Sequence, residues 1–189
     1  MFSRNGRAFV LVLLGRFEDA IQSLPSGEPN TYEEWVGLHI RGMAYIRQGS
    51  VDDAVAIFRR GVDRAPGPSL QNYFRTALAA ALIRQRRFTD VIAELAPNIE
   101  PMPAEQRTTA TVLLTHAFGA IAQTSNAQSW LDQSRTTEVP VVIDLRKALA
   151  ERYSLRIVGK IPPKTRPTAQ LEEFIDDQEF RLLTLLQAA

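Results

Sequence analysis

Cysteine is absent from the 189 residues, so neither a disulfide framework nor thiolate chemistry is available to this chain. Histidine occurs only twice, at His39 and His116, far apart and with no carboxylate one helical turn away, which leaves no local metal motif. An excess of one charge is also missing: 22 basic side chains against 21 acidic ones leave +1. That balance argues against a nucleic-acid ligand, which is normally held by a strong basic excess. No apolar run approaches the ~18 residues of a membrane span. A glycine-rich phosphate loop and a Gly-x-Ser-x-Gly elbow are both lacking, so nucleotide binding and nucleophilic catalysis have no motif to rest on. The expectation is a protein with no catalytic residues, no cofactor and no metal.

What the chain does have is 45% hydrophobic content, enough for a sizeable core, and internal repetition. At a lag of 34 residues Ala8 pairs with Gly42, Leu11 with Tyr45, Gly15 with Gly49, Asp19 with Asp53, Ala20 with Ala54 and Leu24 with Phe58. A third copy follows at a lag of 37, with Ile83-Arg84-Gln85 repeating Ile46-Arg47-Gln48 and Asp90 matching Asp53. Gly42 and Ala54 are small where two antiparallel helices would cross, with Tyr45 and Phe58 filling the space beside them, whereas in the third copy Val91 replaces the small residue and Arg75 stands where a large apolar one is usual. Gly49 suits the left-handed end of a first helix, Ser50 an N-cap, and Asp52 and Asp53 the first turn of a second helix. A fourth, degenerate pair is expected from a helix after Pro103 and another from Asn126.

Trp35 to Pro66, with Gly42, Tyr45, Ala54, Phe58 and Pro66 at their spacings, resembles the tetratricopeptide repeat family. The resemblance implies an all-α, right-handed solenoid of antiparallel helix pairs over residues 1–136. Beyond it the sequence predicts a capping helix over 137–153, a basic, proline-containing linker over 154–167 and an amphipathic tail helix over 168–189. The tail carries a net −4 and an apolar stripe, and is expected to dock back on the repeats or on a second copy.

The family resemblance also implies that the first helix of each pair lines a concave groove. The positions concerned are Phe2, Asn5, Phe9 and Val12, then Val36, His39, Met43, Ile46 and Arg47, then Tyr73, Thr76, Ala80, Ile83 and Arg84. Phe9, Val36, His39, Met43, Ile46, Tyr73 and Ile83 are the candidate partner-binding residues, with Arg47 and Arg84 selecting an acidic flank. Helical spacing alone leaves open whether Phe9, Met43 and Ile83 serve a groove or the core. The acid pairs Glu18-Asp19 and Asp52-Asp53 complement helix dipoles, and Arg59, Arg60 and Arg64 read as a solvated face.

Two functions follow as expectations. One is a non-enzymatic scaffold or adaptor that binds a peptide or helix of a partner protein; the other is an obligate regulatory or assembly subunit of a larger complex. Helical-repeat RNA binding is a third, weaker reading. The N-terminal AFVLVLL has no small-residue cleavage site and runs into the first repeat, so the expected location is cytoplasmic.

Overall fold

The computed structural model describes residues 3–134 and 140–157, and among these it is all-helical. The helices are α1 (Arg4–Leu13), α2 (Phe17–Ser23), α3 (Tyr32–Gln48), α4 (Val51–Arg64), α5 (Pro68–Arg84), α6 (Phe88–Leu95), α7 (Ala104–Ala120), α8 (Thr124–Gln133) and α9 (Pro140–Tyr153), with a 3-10 turn at Ala96–Asn98. Two compact units form, Met1–Gln85 and Arg86–Ala189. The boundary falls in the turn of the third expected pair. The tail expected over 168–189, most of the linker and Phe2 lie outside the described residues.

One helix-to-helix joint recurs along the chain. A residue with positive φ stands at Gly15, Gly49, Arg86 and Ala122, and also at Ser154, after which no second helix is described. At the first four joints the next residue, Arg16, Ser50, Arg87 or Gln123, lies near φ −90 to −83° and ψ 59 to 66° and opens a second helix. The amides of Arg16, Ser50, Gln123 and Leu155 reach back to the carbonyls of Leu11, Tyr45, Phe118 and Ala150, the Schellman bond that satisfies carbonyls left over at a helix end. Ser50 does not cap α4 with its side chain, contrary to the sequence expectation. Its backbone is committed to the joint, and the hydroxyl is not needed there.

The acidic residues after the joints do more than face a helix dipole. Arg16 meets Asp19 and Arg87 meets Asp90, each at 2.6 Å, and Asn126 donates to the Gln123 side chain at 2.8 Å. The same clasp across three residues therefore closes three joints. Elsewhere α1 begins where Ser3 accepts the Gly6 amide, and α3 begins with a full capping box between Thr31 and Glu34. Amides of Asn30 and Thr31 hold the Glu34 carboxyl below its ordinary pKa.

In the first unit α3 packs against α1 and α2 on one side and α4 on the other, and α4 packs against α5. The close approaches are glycine sockets for aromatic rings. A Cβ on Gly42 would lie 2.3 Å from the Phe58 ring, and one on Gly61 would lie 2.1 Å from Phe74. Both phenylalanines are fully buried. The sequence expectation set Gly42 and Ala54 at the α3–α4 crossing with Phe58 beside them; in the structure the Phe58 ring itself lies over Gly42, and the Gly61 socket, between α4 and α5, is a second crossing built the same way. The loop after α2 is fastened by Arg41, whose Nη2 donates to the Leu24 carbonyl at 2.8 Å and also to that of Pro25. Arg60 and Arg64 hold Glu28 of the same loop, so these two arginines are not simply a solvated face.

In the second unit α7 packs against α6, α8 and α9. Gly119 is its socket: a Cβ there would lie 2.5 Å from the Tyr153 ring of α9. Ile99 and Met102, in the proline-punctuated loop before α7, are buried, so this loop contributes to the core as well as connecting helices.

Candidate protein-binding surface

Of the candidate partner-binding residues, four present surface. Val36, Arg47 and Tyr73 are half-buried and Arg84 is exposed. They stand on α3 and α5, the first helices of the second and third expected pairs.

The others are placed differently. His39, Met43 and Ile46 are buried, at 5%, 0% and 2% exposure, and do not line an open surface. The reason is the position of α3, which is flanked by α1, α2 and α4 and also meets the Phe74 ring of α5, so little of its circumference remains free. Phe9 and Val12 belong to the buried face of α1, and Thr76, Ala80 and Ile83 are buried on α5. Thr76 turns its hydroxyl back on the Tyr73 carbonyl at 2.9 Å, the local bond that lets a threonine sit buried in a helix. Asn5 donates to the Glu33 carbonyl at 2.7 Å and ties α1 to the start of α3.

His39 occupies a buried aromatic cage. Its ring lies 5.4 Å from that of Phe58 and 5.3 Å from that of Phe74, which in turn meets Trp35 edge-on at 6.0 Å. The imidazole bonds to the Tyr73 backbone, whereas its Nδ1 is buried without a partner among the described residues. Burial disfavours the charged form and lowers its pKa from 6.5 to about 4, with the Tyr73 bond opposing. A neutral, enclosed imidazole of this kind has no surface to offer a partner.

His116, the other histidine, is also buried and also lies against an aromatic ring, that of Phe88 at 5.6 Å. It differs in having a polar partner, the Tyr153 hydroxyl, 2.6 Å from Nδ1. The arrangement locks α9 to α7. Tyr153 was not singled out by sequence; the signal available was an aromatic residue at the end of a predicted capping helix, which does not say which glycine it will cover.

Among the described residues no group of three or more acidic or histidine side chains is placed to hold a metal ion, and no helix is long and apolar enough to cross a membrane. No family model matches the sequence, and no curated protein or solved structure is significantly similar to it.

Proposed function

We propose that this protein is a non-enzymatic binding scaffold built from tetratricopeptide-like helix pairs. The observation that carries this reading is the recurrent joint, with its positive-φ residue at Gly15, Gly49, Arg86 and Ala122 followed each time by the start of a second helix. Repeated helix pairs of this kind bury one face of each helix against its neighbours and leave a periodic row of residues at the surface, a geometry suited to an extended or helical segment of another protein. Val36, Arg47, Tyr73 and Arg84 are the members of that row with surface to give. Tyr73 and Arg84 stand on the same helix, and aromatic and guanidinium side chains are the ones that most often anchor binding.

The test is capture of proteins from a cell extract on the immobilised chain, in parallel with a Tyr73→Glu, Arg84→Glu double variant, followed by reassembly from purified components. The expected result is a protein that binds the parent directly and binds the variant at least about tenfold more weakly. Equal retention by parent and variant of every captured protein would remove this surface from consideration, and no direct binder at all would remove the scaffold reading.

A further inference from the structure

Among the described residues the exposed large apolar side chains are Val10, Leu13, Leu14 and Tyr32, and three of these four stand on α1 or its C-terminal cap. Val10 and Leu14 are one turn apart, and the same line runs back along the helix through Arg7 and Arg4. Both arginines are exposed and neither forms a salt bridge with a described residue; Arg4 acts on the Glu34 carboxylate only through space, the smallest of the influences on it. Beside them α1 and α2 flank a cleft of about 620 Å³, lined by Arg4, Arg7 and Leu11 on one side and by Arg16, Asp19 and Gln22 on the other. Asp19 is already engaged by Arg16 at 2.6 Å, so the two guanidiniums of α1 leave the cleft positively charged. The outward side of α1 is therefore a basic cleft continued by an apolar ridge.

We propose that this face docks a partner peptide in which carboxylates are followed by large apolar side chains. The carboxylates enter the cleft and take charge-assisted hydrogen bonds from Arg4 and Arg7; the apolar residues cover Val10 and Leu14. The proposal rests on the reading that binding is the activity of the chain, and places a contact on the side of α1 opposite Phe9 and Val12, which are buried. A second copy of the chain is a poorer occupant, because three partly exposed side chains fall well short of the ~800 Å² per partner in a standard interface. An anionic membrane would meet the ridge as a plane and leave the concave cleft unfilled.

The full chain is titrated into a fluorescein-labelled Glu-Glu-Glu-Leu-Leu-Phe peptide at low salt and followed by anisotropy. The expected result is saturable binding that weakens at least about tenfold in the Arg4→Glu, Arg7→Glu double variant and about fivefold in Leu14→Asp, with no binding of a Lys-Lys-Lys-Leu-Leu-Phe peptide. These positions are exposed, so thermal unfolding of the variants should match the parent and exclude misfolding as the cause. Absence of peptide binding, binding unchanged in the double variant, or sedimentation with phosphatidylserine vesicles in place of peptide binding each overturns the proposal. Extract proteins that bind the parent and the α1 variants equally would overturn it while leaving the scaffold reading intact; an absence of any direct binder to the parent would instead overturn that reading.

Discussion

In Met1–Gln85 the residues that turn the chain out of a first helix are glycines, Gly15 at φ 73° and Gly49 at φ 92°; in Arg86–Ala189 the same place is taken by Arg86, Ala122 and Ser154, at φ 60°, 61° and 54°. Glycine enters the left-handed region without a steric penalty, whereas a residue with a Cβ costs roughly 1–2 kcal/mol there. At Ala122 the joint is held against local preference by the backbone bonds of the turn and by the packing of α7 on α8. The difference teaches that the joint belongs to the repeat and glycine is only its least costly occupant.

The sockets and histidines extend the contrast. Phe58 and Phe74 close the glycine sockets of the first unit with apolar rings and lie against a histidine whose Nδ1 has no partner among the described residues; Tyr153 closes that of the second with a ring whose hydroxyl reaches His116. Each unit also carries one of the two tryptophans, Trp35 and Trp130, so Trp130→Phe leaves a fluorescence reporter of the first unit and Trp35→Phe one of the second.

The largest expected effect breaks a socket. In Gly61→Ala the new methyl would fall 2.1 Å from Cγ of a fully buried Phe74, at the root of the ring, which rotation about χ2 does not move. A loss of about 3 kcal/mol is expected in urea unfolding followed by Trp35. Gly119→Ala should lose less, about 1 to 2 kcal/mol, because Tyr153 is only half-buried and its ring can move outward. Equal losses would show that the two units tolerate overpacking alike.

Acid should separate the units next. Because the folded-state pKa of His39 is lowered from 6.5 to about 4, the unfolded chain takes up its proton first as the pH falls. No stability is lost above pH 6.5; between 6.5 and 4 about 3 kcal/mol is lost, and below 4 the loss levels off. His39→Leu should flatten the Trp35-reported stability over that window, the carboxylates common to both proteins cancelling in the difference. An identical pH profile in parent and variant would mean that the imidazole is hydrated in solution.

Tyr153→Phe keeps the ring in its socket and removes only the hydroxyl, leaving His116 Nδ1 without that partner. A loss of about 1 to 2 kcal/mol is expected in the Trp130-reported transition, with the Trp35-reported one less affected. The smallest effects are at the joints and carry opposite signs. Gly49→Ala meets no atom within 4 Å but must hold φ 92°, and should destabilise by about 1 kcal/mol. Ala122→Gly relieves a methyl at φ 61° and should stabilise by up to about 1 kcal/mol, less the backbone entropy that glycine loses on folding. A stabilising Gly49→Ala would contradict the account of the joints given above.

Legibility followed the same division. Gly15, Gly49, Gly42 and Phe58 made the first unit readable, because a glycine at a turn and a small residue opposite a large one leave marks in the sequence itself. The joints at Arg86 and Ala122 leave no such mark, and the pair at α7 and α8 looked degenerate because Ser129 and Gln133 stand where a small and a large residue are expected, although Gln123 after its turn has nearly the dihedral angles of Ser50. The candidate surface was readable only as a list of faces. Periodicity placed Val36, His39, Met43 and Ile46 together on one helix, but which of them keep surface depends on how many neighbours α3 acquires.

By itself the sequence determined that the described residues are helical, where most of their helices start and stop, and that similar turns recur between them, since these follow from short-range spacing, turn residues and caps. Only the tertiary structure decided that Phe74 fills Gly61, that Tyr153 reaches His116, that His39 and Met43 are interior, and that Arg4, Arg7, Val10 and Leu14 face outward. Those outcomes depend on which helix lies against which across many residues of chain, and burial is a property of the neighbours rather than of the residue buried.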